Sequence, residues 1–279
     1  MKTTDMVMLR YAAKDAGASL QTYLGRCEEM EHQGIGSATI ADFTSLEFIA
    51  TRLFTQEPDI PILTEKRTHD ALKGMSAHFP TMKLIEVSDD EEKLPDTFFS
   101  IDPLDGTALF VNGCPEFSIS IALVHQGKPQ AAVMFMPISG TEVSVYTGHG
   151  CILNGVKRMR LNEERPLWRC LIGLALGPKV DEITVNHTLY PLMKEFCAVR
   201  NMPSVASGIE LLLGRTAAWV STNARIWGVA GTALAVHEAN GVAECLDGSP
   251  IPWNCVRMPP LLFAANQRIA DEVRLIVQK

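Results

Sequence analysis

The residues Ser100-Ile101-Asp102-Pro103-Leu104-Asp105-Gly106-Thr107 place two carboxylates three positions apart, with a proline between them and Gly-Thr directly after. Two close anions repel unless a proton or a cation lies between them. A hard divalent ion with oxygen ligands, Mg²⁺ above all, meets that need. Gly106 permits close approach of the backbone to a ligand, and Thr107 adds a hydroxyl and a backbone donor. The apolar residues Phe98, Phe99 and Ile101 lead into the segment and predict a buried strand. The carboxylates therefore belong at or just past a strand end, where side chains can converge on a ligand.

The elements that must position this segment can be read on both sides of it. Met8, Leu9, Ala12, Ala16, Leu20, Tyr23, Leu24 and Cys27 follow helical spacing through the first thirty residues or so, and Gly34 and Gly36 close that helix into a loop. A second helix starts near Asp42, with Leu46, Ile49, Ala50, Leu53 and Phe54 as one buried stripe. Pro58 and Pro61 flank a short strand from Ile60 to Leu63, which Glu65 follows, and Asp89-Asp90-Glu91-Glu92 reads as a solvated loop. Phe117 to Val124 and Pro129 to Met136 predict a hairpin about Gln126-Gly127-Lys128, and Glu142 to Tyr146 a further strand. Further on, Leu171 to Ala175 reads as a strand. Ser207 to Ala218 reads as a helix, as does Ala230 to Ala239, the latter stopped by Asn240-Gly241. Ile269 to Val277 is a last helix or strand.

Composition narrows the classes. The chain has 279 residues, 47% of them hydrophobic, which suits one large domain or two closely packed ones. No apolar run approaches the ~20 residues that span a bilayer, and Met1-Lys2-Thr3-Thr4-Asp5 lacks the apolar stretch of a secretory signal. A cytoplasmic protein without a membrane partner is expected. The net charge of −7 argues against nucleic acid as a partner. An acidic chain that binds an anionic phosphate needs metal ions to reverse the local sign. The seven cysteines, at 27, 114, 151, 170, 197, 245 and 255, are odd in number and form no Cys-x-x-Cys, so reduced packing thiols are expected.

The run Asp102-Pro103-Leu104-Asp105-Gly106-Thr107 resembles the Asp-Pro-(Ile/Leu)-Asp-Gly-Thr signature of the inositol monophosphatase family, metal-dependent and lithium-sensitive phosphatases. The match continues through Phe110-Val111, Gly113, Pro115, Phe117 and the strand Ser118-Ile119-Ser120-Ile121-Ala122-Leu123. Thr147-Gly148-His149-Gly150-Cys151-Ile152-Leu153-Asn154-Gly155 resembles the family's glycine-rich turn. The resemblance implies an α+β fold, the layered α-β-α-β-α sandwich of the inositol monophosphatase/fructose-1,6-bisphosphatase type. It also implies Mg²⁺ as cofactor, a small phosphorylated metabolite as substrate, and a homodimer. An N-terminal half over residues 1–155 would carry the signature, and a smaller α/β half over 156–279 would pack against it as one unit.

Residue by residue, the resemblance gives Glu65, Asp102 and the backbone carbonyl of Leu104 to a first metal. Asp102 would bridge to a second metal, with Asp105 as a further ligand. Thr107, oriented by Asp42 and assisted by Glu65, would hold the attacking water, whose pKa a metal lowers. Asp42 could equally cap the second helix. The backbone N–H groups of Gly106, Thr107 and Ala108 would open a helix and bind phosphate.

Three departures stand out. Lys66 replaces the second acid of the family's Gly-Glu-Glu, and Ala108-Leu109 replace polar residues such as Thr-Asn. Where the family carries Trp-Asp-x-Ala-(Ala/Gly)-Gly, this chain reads Trp227-Gly228-Val229-Ala230-Gly231-Thr232, so Gly228 removes a ligand of the second metal. Fewer ligand charges weaken a hard-cation site, and lithium inhibition, tied in the family to that site, should change with it. The chain reads either as a phosphomonoesterase with altered or reduced activity, natural or made by ligand removal, or as a member repurposed to bind a phosphorylated metabolite or a protein. Ser204, Ser207, Glu210, Arg215 and Arg225 are the polar candidates to face the leaving group.

Overall fold

The computed structural model describes residues 3–26, 39–65, 83–85, 93–176 and 180–278. The expectations for Cys27, Gly34, Gly36, Lys66 and the run Asp89 to Glu92 lie outside the described residues.

A first sheet of seven strands runs in chain order: β1 (Ile62–Leu63), β2 (Phe98–Asp105), β3 (Ser118–His125), β4 (Lys128–Met136), β5 (Thr141–Tyr146), β6 (Gly150–Leu153) and β7 (Lys157–Arg158). Strand β1 is parallel to β2, and the other neighbouring strands of this sheet pair antiparallel. A second sheet takes β8 (Leu171–Leu174), β9 (Ala198–Arg200), β10 (Ala218–Ser221), β11 (Val242–Cys245) and β12 (Leu261–Ala264) in the order β11-β12-β10-β8-β9. The helices among the described residues are α1 (Thr3–Tyr23), α2 (Ile40–Gln56), the short α3 (Thr107–Val111), α4 (Glu182–Thr184), α5 (Tyr190–Glu195), α6 (Ser204–Leu212), α7 (Ile226–Glu238) and α8 (Gln267–Val277). A π turn over Val185–Leu189 joins α4 to α5.

Three apolar cores separate these elements into five layers. Leu9, Ala16, Leu46 and Ile49 of α1 and α2 pack on Phe99, Ile101, Ile121 and Val133. The opposite face of the same strands, through Phe98, Ala122 and Met134, packs on Val229 and Val236 of α7 and on Trp219 and Phe263 of the second sheet. The far side of that sheet buries Val220 and Leu262 under Leu192 of α5 and Ile269 and Val273 of α8. This is the expected α-β-α-β-α sandwich. Strands covered on both faces read as near-continuous apolar runs rather than alternating ones. The middle helix α7 is buried along most of its length for the same reason.

Some boundaries differ from the sequence reading. Helix α2 begins at Ile40, because Thr39 is its N-cap and forms a capping box with Asp42. Helix α6 spans Ser204–Leu212 rather than Ser207 to Ala218; Gly214 at φ +70° ends the segment and Ala218 opens β10. Helix α7 starts at Ile226, four residues before Ala230. Gly228 and Gly231 lower helix propensity there, and tertiary packing overrides it. Its end is as expected: Asn240 takes φ +65°, and the N–H groups of Gly241 and Asn240 bond back to Val236 and His237. The last segment is helix, capped by Asn266. The hairpin turn places Gln126 and Gly127 both at positive φ, the form that matches strand twist.

The middle layer is also tied to the first sheet. Glu238, at the end of α7, accepts the N–H groups of Gly148 and Gly150 at 2.8 Å each, fixing the β5–β6 turn.

Candidate active site

A bulge in β2 puts both signature carboxylates on one face. Asp102 pairs with Ser120 but Asp105 with Ser118, so three steps along β2 match two along β3. Side chains alternate along a strand, and one extra residue restores Asp105 to the face that Asp102 occupies. Leu104 turns the other way, into the core under α1 and α2. Pro103 supplies no N–H to the ladder, and its carbonyl accepts Ser45 Oγ of α2 at 2.6 Å.

The parallel pairing Ile62–Phe99 and Leu63–Ser100 brings the chain after β1 alongside β2. Glu65 thereby joins Asp102, Leu104, Asp105, Gly106 and Thr107 around one cleft of about 280 Å³. Ala175, Ser204, Ser221, Asn223, Ala224, Arg225, Trp227 and Gly228 complete its wall. The residues collected here come from positions 65, 102–107, 175, 204 and 221–228 of the chain.

Asp102 and Asp105 are each only 8% exposed. Burial, then the neighbouring charges of Asp105, Glu65 and Asp42, holds the Asp102 carboxyl well above the usual carboxylate range. Asp105 is also raised by burial, against hydrogen bonds that favour its charge. Its Oδ1 accepts Ser204 N at 3.2 Å and Ser204 Oγ at 2.9 Å; its Oδ2 accepts Val205 N at 2.8 Å and Ser118 Oγ at 3.0 Å. Asp105 therefore satisfies the first N–H groups of α6 from a strand about a hundred residues away.

Thr107 Oγ1 donates to the Leu104 carbonyl at 3.1 Å and to Asp42 Oδ1 at 3.4 Å. Asp42 Oδ2 meanwhile accepts Thr39 N at 2.7 Å and Thr39 Oγ1 at 2.8 Å. Asp42 thus serves the helix start and the signature threonine together, from the third helical position rather than as the cap. Burial raises its pKa to about 6. Between about pH 4 and about pH 6 the folded chain binds this proton more tightly than the unfolded one, so stability falls as pH rises through that window. Above it the ionised group costs ~3 kcal/mol. Asp42→Asn should flatten that part of the profile, as read from urea midpoints of metal-free protein.

Gly106 is the N-cap of α3 at φ +91°, and a Cβ there would meet Pro203 Cγ at 2.5 Å. Gly106→Ala should destabilise by about 2 kcal/mol, measured by urea unfolding, since left-handed backbone alone costs roughly 1–2 kcal/mol. Helix α3 has five residues, and Ala108 is exposed and outside the cleft wall.

The other candidates divide. Ser204 and Arg225 line the cleft. Ser207 donates to the Met202 carbonyl at 3.1 Å, and Glu210, 3% exposed, pairs with Arg215 at 2.6 Å and Arg200 at 3.6 Å. None of Ser207, Glu210 and Arg215 faces the cleft. Sequence reasoning missed Ser118 as a partner of Asp105; the signal was the pair of buried serines, Ser118 and Ser120, alternating with isoleucines on one face of β3.

A divalent cation fits one part of this donor set. Glu65, Asp102 and the Leu104 carbonyl are hard oxygen donors, and like charges gathered in a buried cleft call for a cation. Among the described residues no three His, Cys, Asp or Glu side chains form a ligand set on their own. Water and a ligand would have to share the coordination. At the position implied for a second metal the fit fails, because Gly228 has no side chain and chain donors address both oxygens of Asp105.

The layers and the cleft define an α+β sandwich with an acidic pocket where its middle helices meet the first sheet. The inositol monophosphatase family model matches residues 3–278, and the chain belongs to that family. An inositol monophosphatase 2 of Solanum lycopersicum is 28% identical over 93% of this chain and 92% of its own length. A Nus factor SuhB of Xylella fastidiosa is 28% identical over 63% of this chain. The match spans 66% of that relative and 58% of the Neisseria and Pseudomonas proteins of the same kind, less than two thirds of their length. Among solved structures, the extragenic suppressor protein suhB of Bartonella henselae superposes with a TM-score of 0.82 over 99% of both chains at 24% identity. Among the described residues, no helix is long and apolar enough to cross a membrane.

Proposed function

We propose that this chain is a Mg²⁺-dependent phosphomonoesterase acting on a small phosphorylated polyol or related metabolite. The observation that carries the reading is the gathering of Glu65, Asp102 and the Thr107–Asp42 pair around one cleft. Glu65, Asp102 and the Leu104 carbonyl would hold the cation. Bound there, Mg²⁺ supplies positive charge for the phosphoryl group and acidifies a water. The protein's own part is orientation. Thr107 commits its proton to Asp42 or to the Leu104 carbonyl, which leaves its lone pairs to align an attacking water. Glu65 stands on the same cleft as a base. Gly106 and Thr107 bring backbone N–H groups to the phosphate, while Trp227, Ala175 and Ala224 give an apolar wall for the leaving group and Arg225 the cationic side chain in the lining.

A second reading, binding of a phosphorylated metabolite or a protein partner without efficient hydrolysis, is favoured by Gly228 at a ligand position. The test is phosphate release from a panel of inositol and sugar phosphates at millimolar Mg²⁺, alongside Mg²⁺ binding. Steady release supports the esterase. Silence with the cation bound supports the binder, and silence without it removes both.

A further inference from the structure

The space beside Gly228 is filled. A Cβ at position 228 would lie 2.5 Å from Ser204 Oγ, 3.3 Å from Ser204 Cβ and 3.7 Å from Asp102 Oδ2. Ser204 is not free to swing aside without loss, because its hydroxyl donates to Asp105 Oδ1 at 2.9 Å. The same oxygen takes Ser204 N at 3.2 Å, and the other takes Val205 N at 2.8 Å and Ser118 Oγ at 3.0 Å. A carboxylate offers about four lone-pair sites. Four donors of the chain address those of Asp105. Asp102 stands in a different setting: the Leu104 N–H donates to it, and the charges around it are those of Asp105, Glu65 and Asp42.

We infer that this chain has replaced the second cation position that the resemblance implies, the one between Asp102, Asp105 and residue 228, with a protein hydrogen-bond network, leaving a site for a single divalent ion at Glu65 and Asp102. Ser204 stands in the volume of the missing side chain and holds Asp105 to the start of α6. Glu65, Asp102 and the Leu104 carbonyl hold the remaining ion. The inference rests on the cation-dependent reading of the cleft given above.

Restoring the carboxylate by Gly228→Asp is not sufficient, because its Cβ would meet the Ser204 hydroxyl and its charge would sit beside Asp102. The second position opens only when the serine hydroxyl is removed as well. Ser204→Ala leaves the 3.3 Å approach of its Cβ, which a small shift can relieve.

The experiment counts Mn²⁺ ions by equilibrium binding and electron paramagnetic resonance, with inorganic phosphate present, in the wild-type chain, Gly228→Asp, and Ser204→Ala/Gly228→Asp. The wild type should bind one ion with an uncoupled signal. Gly228→Asp alone should stay at one, and the double variant should bind two with the broadened signal of a coupled pair. Two ions in the wild type would overturn the inference and leave the cation-dependent reading standing; no ion would overturn both. A second ion in Gly228→Asp alone, or only one in the double variant, would overturn the role given to Ser204. The wild-type count decides the main point without requiring either variant to fold.

Discussion

Asp102→Asn should abolish any cation-dependent phosphate release and, in metal-free protein, raise stability. The two effects have one origin. Asp102 is buried at 8% exposure beside the charges of Asp105, Glu65 and Asp42, so its own charge is disfavoured until a cation or a proton offsets it. Asparagine keeps the shape and removes the charge. The loss of a ligand charge should lower turnover roughly 10³-fold, about 4 kcal/mol of transition-state stabilisation. Relief of like-charge repulsion and of the desolvation of an anion should stabilise the chelated protein by about 2 kcal/mol at neutral pH. Urea unfolding in the presence of a chelator, beside phosphate-release assays in Mg²⁺, measures both. A variant that loses activity and stability together would show that Asp102 is held by the protein rather than by an ion.

Asp105→Ala should behave in the opposite way in metal-free protein. Its two oxygens accept Ser204 N, Ser204 Oγ, Val205 N and Ser118 Oγ, joining β2 to the start of α6. Truncation leaves these buried donors without an acceptor, at roughly 1–3 kcal/mol for each group that water cannot reach. A loss of about 3–5 kcal/mol is expected, with the midpoint falling at unchanged denaturant slope. Asp105→Asn, which keeps one acceptor oxygen, should recover part of it. The contrast between Asp102 and Asp105, three residues apart and equally buried, separates an anion poised for a cation from one already satisfied by the chain.

Much of this site is legible in the amino-acid sequence. Asp102, Asp105, Gly106 and Thr107 fall within one six-residue run, and the apolar run ahead of them is local, so their chemistry and strand placement follow from neighbours in the chain. The early helix with Asp42 and the strand before Glu65 were placed by periodicity and proline punctuation. The ends of α6 and the start of α7 were not. Glycines at 228 and 231 weaken the local helix signal, and only packing between two sheets makes that segment helical. Ser207, Glu210 and Arg215 looked like cleft residues and are instead tied to Met202, Arg200 and one another.

The chain's own order of residues settled which groups are available: two acids at a strand end, a threonine beyond them, and a glycine where a third acid is expected. Folding settled what each acid faces. The bulge that turns both carboxylates one way depends on register with β3. The hydroxyl that fills the space at Gly228 and binds Asp105 lies 99 positions along the chain from that acid. Side-chain chemistry is a property of the residue, whereas strand register and the donors around a buried anion are set by partners far away in the chain.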